Sequence, residues 1–330
     1  LPGLSANIVV GHDWKESGRI VTVAATRNLV MVHSPGKQAL SDWVTVRERI
    51  RALAPDIDVR IASNAAPDAE ISLWQAARPS LVFSPVPLVR YASSGGKLYA
   101  GREESKLDQV KRLSAAGLPV PEGFGLLPWM PLKRDNWGDY VIVKPTMGKV
   151  GDFVRLVRTE EVGARYLELT NNQTTPMLVQ KFIDHTDETN RLVQYRVLTL
   201  FAQPLYSVWR RSVEPRPSLA ELADRRSAHV ASNYRGVDRE FKLVKDEEVL
   251  SLATRVGEAC PEFPVLGIDI IRERSTGKLY VLETNSGGHV WHFSSDPMPS
   301  PAARERMYRQ FGALDLAAEL LIDKTRREAR

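Results

Sequence analysis

The sequence predicts an α/β layer followed by two α+β halves, and three observations carry that prediction. Over Leu4–Ser84 short apolar runs alternate with helical patterns, as in a small parallel sheet covered by helices. From Gly101 to Ile183 a sharply ended helix precedes a strand, a glycine-containing loop, a returning strand and one further strand. Beyond residue 190 two hairpins, LVQYRVLTLFAQPLYSVWRRS and VLGIDIIRERSTGKLYVLETN, flank a helix. A chain of 330 residues is long for one core, and the divisions fall at 1–100, 101–184 and 185–330.

Composition narrows the function classes. Apolar residues at 43% and charged residues at 26% are those of a soluble globular protein. A single cysteine, Cys260, excludes an internal disulfide and a cysteine-rich metal site. No apolar run reaches the length of a membrane span, and LPGLSANIVV lacks a basic region followed by an apolar core, so no membrane partner and a cytoplasmic location are expected. The formal charge of +5 is scattered, which suits an anionic ligand, nucleotide included, rather than nucleic acid.

In the first layer NIVVG, LVMVHS, VRIAS and SLVFS read as strands, and Leu40–Leu53 and Pro67–Ala77 as helices, the first with Ser41 as its N-cap. No G-x-G-x-x-G follows the first strand, so nothing supports a dinucleotide site. The favoured role is to hold substrate-facing loops, with His12, Asp13, His33 and Ser34 at strand ends. Ser84-Pro-Val-Pro87 stops the layer and Ala92–Gly96 reads as a linker.

In the next helix Leu107, Val110 and Leu113 share a face, Gly117 fits the C′ position, and Pro119 and Pro121 forbid continuation. Lys106 stands in its first turn, where a cation gains nothing from the helix dipole. Tyr140–Lys144 is a buried-type strand ending in a charge that must meet either solvent or an anion. In TMGKVGDFVRLV, Gly148 and Gly151 permit a tight loop whose backbone N–H groups can lie over phosphates. Glu160–Thr170 reads as a helix and Met177–Ile183 as a strand.

Folding the first hairpin about Gln203 places Arg196 and Arg210 across the ladder from each other, a like-charge pair unless an anion lies between them. The polar stretch Glu214–Glu240, with a short helix at Leu219–Arg225 and Asn233–Gly236 beyond it, is a candidate substrate loop. Glu247–Cys260 reads as a helix. Folding the second hairpin about Thr276 brings Asp269 opposite Glu283, give or take a bulge, with Glu283 and Asn285 on one face and Thr284 on the other. Two carboxylates in an apolar sheet repel, and a hard divalent cation such as Mg²⁺ resolves that; the alternative is a solvated hairpin. Ser286-Gly-Gly-His289 forms a turn, His289 and His292 read as packing residues or substrate contacts, and Ala302–Ala329 reads as one helix with a solvated basic end.

In this order the lysine helix, VIVK, the glycine loop, MLVQKFID and the Asp269/Glu283/Asn285 hairpin resemble the ATP-grasp superfamily over roughly Glu103–Ser294. The nearest resemblance is to carboxylate–amine ligases: D-alanine–D-alanine ligase, glutathione synthetase and the ribosomal-protein glutamate ligases. The resemblance implies an ATP-grasp fold with an N-terminal Rossmann-like pre-ATP-grasp layer. It also implies ATP, with Lys106, Lys144, Gly148, Lys149 and Gly151 at the phosphates. The main chain of Lys181, Phe182 and Ile183 would meet adenine, with Gln180 where the family often has glutamate, and Asp184 or Asp187 would meet ribose. Arg196 and Arg210 would contact the transferred phosphoryl group, and Gly287 and Gly288 a developing oxyanion. Asp269, Glu283 and Asn285 would hold Mg²⁺, with Mn²⁺ an alternative. The loop departs from the family pattern, with Asp152 and Phe153 where smaller residues are usual.

The implied reaction joins a small-molecule or peptide carboxylate to an amine through an acyl phosphate. A kinase with a hydroxyl acceptor and a non-catalytic ATP-binding module are the alternatives, and homo-oligomerisation is left open.

Overall fold

The computed structural model describes residues 24–66, 69–91, 95–148, 153–171, 175–224, 238–286 and 301–330. The first layer comprises β1 (Arg27–His33), α1 (Leu40–Leu53), β2 (Ile57–Ser63), α2 (Ala69–Ala76), β3 (Ser80–Ser84) and β4 (Lys97–Ala100). All four strands run parallel in the order β2-β1-β3-β4, so the βα alternation does produce a parallel sheet. Strand β4 starts directly after the expected linker Ala92–Gly96, in a stretch to which the sequence pattern assigns no element. Gly96 makes it possible: at φ +80° it lies so close to Ser80 that a Cβ would stand 2.5 Å from the Ser80 carbonyl oxygen. The N-cap of α1 is Ala39, not Ser41; the chain is already helical at Leu40, so the Ser41 hydroxyl arrives too late to cap. The expected strand Asn7–Gly11 and His12 and Asp13 lie outside the described residues.

The second unit comprises α3 (Lys106–Ala115), β5 (Gly123–Gly125), α4 (Arg134–Trp137), β6 (Tyr140–Pro145), β7 (Arg155–Arg158), α5 (Tyr166–Thr170) and β8 (Met177–Lys181). Ser105 caps α3 by accepting from the Asp108 N–H, and Gly117 ends it at φ +68°. The sheet β5-β8-β6-β7 is antiparallel and packs Val141, Val143, Val157 and Val179 against Trp137 and Leu169. The helix expected over Glu160–Thr170 is split into a 3-10 turn, Thr159–Glu161, and α5. Gly163 lies between them, close enough to Met130 that an added Cβ would stand 3.1 Å from its carbonyl oxygen.

The third unit comprises β9 (Val193–Leu200), β10 (Gln203–Ser212), α6 (Leu219–Asp224), β11 (Arg239–Leu243), α7 (Glu247–Glu258), β12 (Val265–Arg272), β13 (Leu279–Asn285), α8 (Pro301–Arg309) and α9 (Ala313–Glu328). Its five strands form an antiparallel sheet in the order β11-β10-β9-β12-β13. The β9–β10 turn is not at Gln203. Phe201 and Ala202 both take positive φ, 45° and 68°, so Gln203 already pairs with Leu200. A register shift between Pro204 and Tyr206 then sets Arg196 opposite Val208 and Arg210 opposite Gln194. The two arginines are therefore diagonal neighbours on one face, not directly opposed.

The tail is two helices rather than one, broken at Gly312, whose φ is +64°. Ala317, Ala318, Leu321 and Ile322 of α9 share one apolar core with Leu29, Met31 and Phe83 of the parallel sheet and Leu198, Leu200 and Val265 of the antiparallel one. The basic end of α9 is not simply solvated, since Arg326 pairs with Asp56 at 2.6 Å. Among the described residues no helix is long and apolar enough to cross a membrane.

Candidate active site

The chemistry gathers on one face of the antiparallel sheet. Asp269 pairs directly with Glu283, and the ladder shifts register between Asp269 and Ile270, the bulge that the hairpin pattern allows for. On its other side Asp269 pairs with Arg196. The Arg196 guanidinium grips the carboxylate with both arms, Nε to Oδ1 at 2.7 Å and Nη2 to Oδ2 at 2.5 Å. Asn285 Nδ2 donates to the same Oδ2 at 3.3 Å. Burial alone would lower the Arg196 pKa, but the Asp269 charge outweighs it and holds the guanidinium above its ordinary value.

Two lysines reach this face from the second unit. Lys106 starts α3, and its N–H donates to the Thr146 carbonyl at 2.8 Å, tying the helix to the loop after β6. Its Nζ donates to the Gly148 carbonyl at 2.9 Å and stands 4.0 Å from Glu283 Oε2. Lys144, at the end of β6, is buried. Burial pushes its pKa down to about 8; Lys106 adds to the shift, while Glu283 and Asp269 oppose it. Arg210 follows the same logic: burial first, then Arg196, push its guanidinium down to about 10. Tyr206, whose pKa burial raises to about 12, faces Arg196, Arg210 and Asp269. Sequence reasoning missed it, although the alternation of Tyr206, Val208 and Arg210 places all three on one face. Four cations thus stand over two carboxylates, and such an excess is relieved by a bound anion.

The segment leaving β8 is fixed by its own contacts. Gln180 is buried and its Nε2 donates to the Pro121 carbonyl at 3.1 Å. The Lys181 N–H donates to the Glu122 carbonyl at 2.8 Å, its Nζ donates to the Asn136 carbonyl, and Ile183 is buried. Arg216 stands over the Phe182 ring at 5.8 Å and pairs with Asp184 at 2.9 Å. The Asp184 carboxylate also accepts from the Thr186 N–H and hydroxyl. Burial raises its pKa, but the hydrogen bonds from Arg216 prevail and hold it below the usual carboxylate range. Asp187 likewise accepts from the Thr189 N–H and hydroxyl, the Arg191 N–H and Arg211. Both aspartates thus serve local structure, and a ribose would have to share them. Gly148 takes φ +149° at the edge of the loop. Lys149, Gly151, Asp152, Gly287, Gly288, His289 and His292 lie outside the described residues, as does Asn233–Gly236.

Among the described residues no group of three or more His, Cys, Asp or Glu side chains could hold a metal. Asp269, Glu283 and Asn285 instead offer two carboxylates and an amide, an all-oxygen set that fits a hard divalent ion. Among the described residues Glu283 makes only the long contact with Lys106, so one carboxylate is open to such an ion while Arg196 holds the other.

Lysines from the four-stranded antiparallel sheet and its helix, and arginines from the five-stranded one, thus face an Asp/Glu/Asn hairpin. Residues 103–287, more than half of the chain, match the model of the ATP-grasp domain, and the protein belongs to that family. Among solved structures the chain is similar to the ATP-grasp ligase PsnB complexed with a minimal precursor, at 16% identity and a TM-score of 0.52, covering 92% of this chain and 100% of that one. It is also similar to D-alanine–D-alanine ligase from Bacillus anthracis, at 14% identity and a TM-score of 0.48, covering 91% and 99%. A RimK domain ATP-grasp protein from Sphaerobacter thermophilus aligns at 12% identity and 0.49, covering 90% and 99%. No curated protein matches the sequence.

Proposed function

We propose that this protein is an ATP-dependent ligase that joins a carboxylate to an amine through an acyl phosphate. One observation carries the reading: Lys106, Lys144, Arg196 and Arg210 converge with Asp269, Glu283 and Asn285 on a single sheet face. That set is suited to handling phosphoryl charge, and the reading requires no side-chain nucleophile. PsnB, which shares the fold, is an ATP-grasp ligase seen with a minimal precursor, Mg and ADP.

In this reading Asp269, Glu283 and Asn285 hold Mg²⁺, which when bound neutralises phosphate charge and polarises the oxygens it contacts. Lys106 and Lys144 bind the remaining negative charge from the opposite lobe. The main chain from Lys181 to Ile183 lines the adenine, and Gly148 with its loop covers the phosphates. Arg196 and Arg210 orient the transferred group while the substrate carboxylate attacks it. The amine then displaces phosphate from the acyl phosphate, and the divisions at 100 and 184 separate the substrate layer from the two gripping lobes.

The test is a screen of amino acids and small carboxylates for amine-dependent release of phosphate from ATP, with mass spectrometry of the product. A product heavier by the amine less water is expected. Phosphate transferred to a hydroxyl would replace the ligase with a kinase, and nucleotide binding without turnover on any substrate would leave a binding module.

A further inference from the structure

The carboxyl-terminal edge of the parallel sheet holds a cluster that the ATP chemistry does not use. Strands β2 and β3 lie on opposite sides of β1, so the chain reverses its direction of travel there, and the crevice beyond β1 is the topological switch point of the layer. The loop from β1 to α1 reads Ser34-Pro-Gly-Lys-Gln-Ala39. Gln38 is 6% exposed, and its Oε1 accepts from the Ser34 N–H at 2.6 Å. Its Nε2 is buried and finds no hydrogen-bond partner among the described residues. An orphaned buried amide donor is destabilising unless something accepts from it.

The group most suited to accept is an anion, because Gln38 immediately precedes the start of a 14-residue helix. No side chain caps α1, whose N-cap is Ala39. The acidic residue of its first turn, Asp42, accepts from the Tyr308 hydroxyl of α8 instead. Lys37 is half-buried beside the same turn and forms no ion pair among the described residues. An uncapped helix start, an orphaned amide and a lysine are three donors of one sign.

The edge also leads to the proposed reaction centre. Along it the ends of β1, β3 and β4 follow in turn, and Gly101 after β4 packs on Ser286, the residue after Asn285. Two strand spacings separate β1 from β4, roughly 10 Å. We propose that Gln38, the start of α1 and Lys37 bind a carboxylate of the substrate, distal to the group that reacts, so that the substrate class is an acid with a second anionic group. Its assignment to the substrate rests on the ligase reading; the anion site itself does not.

The test is an NMR titration of the full ¹⁵N-labelled chain without nucleotide, with sodium glutarate as the probe and sodium chloride at matched ionic strength as the control. Glutarate is expected to shift the Gln38 side-chain amide and the Leu40 and Ser41 backbone amides saturably, and chloride is not. Gln38→Glu keeps an acceptor for the Ser34 N–H but replaces the orphaned donor with a carboxylate oxygen, and should weaken glutarate binding tenfold or more. Ala39→Asp places a capping carboxylate on α1; it should raise thermal stability while removing glutarate binding. Absence of a glutarate response, or equal affinity in both variants, overturns the site. ATP affinity should be the same in all three proteins. Turnover that fails although glutarate binds as described would count against the ligase reading alone.

Discussion

Replacing Arg196 with methionine tests the centre of the site through folding energy. The Asp269 side chain is 4% exposed and that of Arg196 is 27% exposed, so the variant leaves a nearly dry carboxylate without its cation. Breaking a buried pair in this way costs about 3–5 kcal/mol, and the exposure of Arg196 favours the lower end because water can enter from its side. Loss of repulsion from Arg210, a diagonal neighbour at about 7 Å, returns at most about 2 kcal/mol at an effective dielectric near 20. The expected net loss is therefore about 1–3 kcal/mol. The coupling between Arg196→Met and Asp269→Asn should still be about 3 kcal/mol, since the repulsion cancels in a double-mutant cycle. The assay is urea unfolding of the four proteins in EDTA, followed by the fluorescence of the tryptophans, among which Trp209 in β10 reports on this sheet. A coupling energy below about 0.5 kcal/mol would refute the account of a buried pair. Turnover should be lost in Arg196→Met even with Mg²⁺ and ATP present.

Glu283→Gln should abolish Mg²⁺-dependent turnover in a phosphate-release assay while leaving the circular dichroism spectrum unchanged. Lys144 lies near 8 when folded against an ordinary 10.5, so between those pH values the folded chain binds fewer protons than the unfolded one. Stability therefore rises with pH across that window, and Lys144→Met should remove the dependence and stabilise the apo protein at pH 7 by up to about 3 kcal/mol. ATP should restore the Lys144 proton, so calorimetry near pH 9 in buffers of different ionisation enthalpy should show proton uptake in the parent and none from this residue in the variant. Gly101→Ala would place a Cβ 2.1 Å from the Ser286 carbonyl oxygen, so it should displace the end of β13 and cut turnover at least tenfold, at about 1–3 kcal/mol in urea unfolding.

The pairing of Asp269 with Glu283 was legible because both strands are regular and Gly277 marks their turn. The β9–β10 register was not, because the left-handed residues are Phe201 and Ala202, neither of which carries a turn signal, while Pro204 advertises a turn two residues late. Local pattern located Asp184 beside the strand end, but its partner Arg216 lies 32 residues downstream and only the folded chain brings the two together. The clasp between Arg196 and Asp269 spans 73 residues and joins two different hairpins, so spacing could place each residue on a face but not in contact. Gly312 was available as the break between α8 and α9, and the apolar stripe beyond it conceals the stop. Gln38 carries no motif; its burial without a partner for Nε2 among the described residues singles it out.

The core shared by α9, the parallel sheet and the five-stranded sheet ties those elements into one body. Those three elements cannot slide on one another without opening that core, so they act as an anvil. The sheet β5-β8-β6-β7 has its own separate core; it meets α6 of the third unit through Leu156 and Leu222, and the anvil through α3 and the segment after it, where Thr284 N–H donates to Gln109 Oε1 at 2.9 Å and Val281 N–H to the Pro119 carbonyl at 2.8 Å. It is the jaw. Lys106 and Lys144 ride on or beside the jaw, whereas Asp269, Glu283 and Asn285 are set in the anvil. The cations and the carboxylate bed thus rest on separate cores, yet Lys144 is already buried and Lys106 Nζ stands 4.0 Å from Glu283 Oε2, so the cost of drying Lys144 is carried by the fold itself until an anion offsets it.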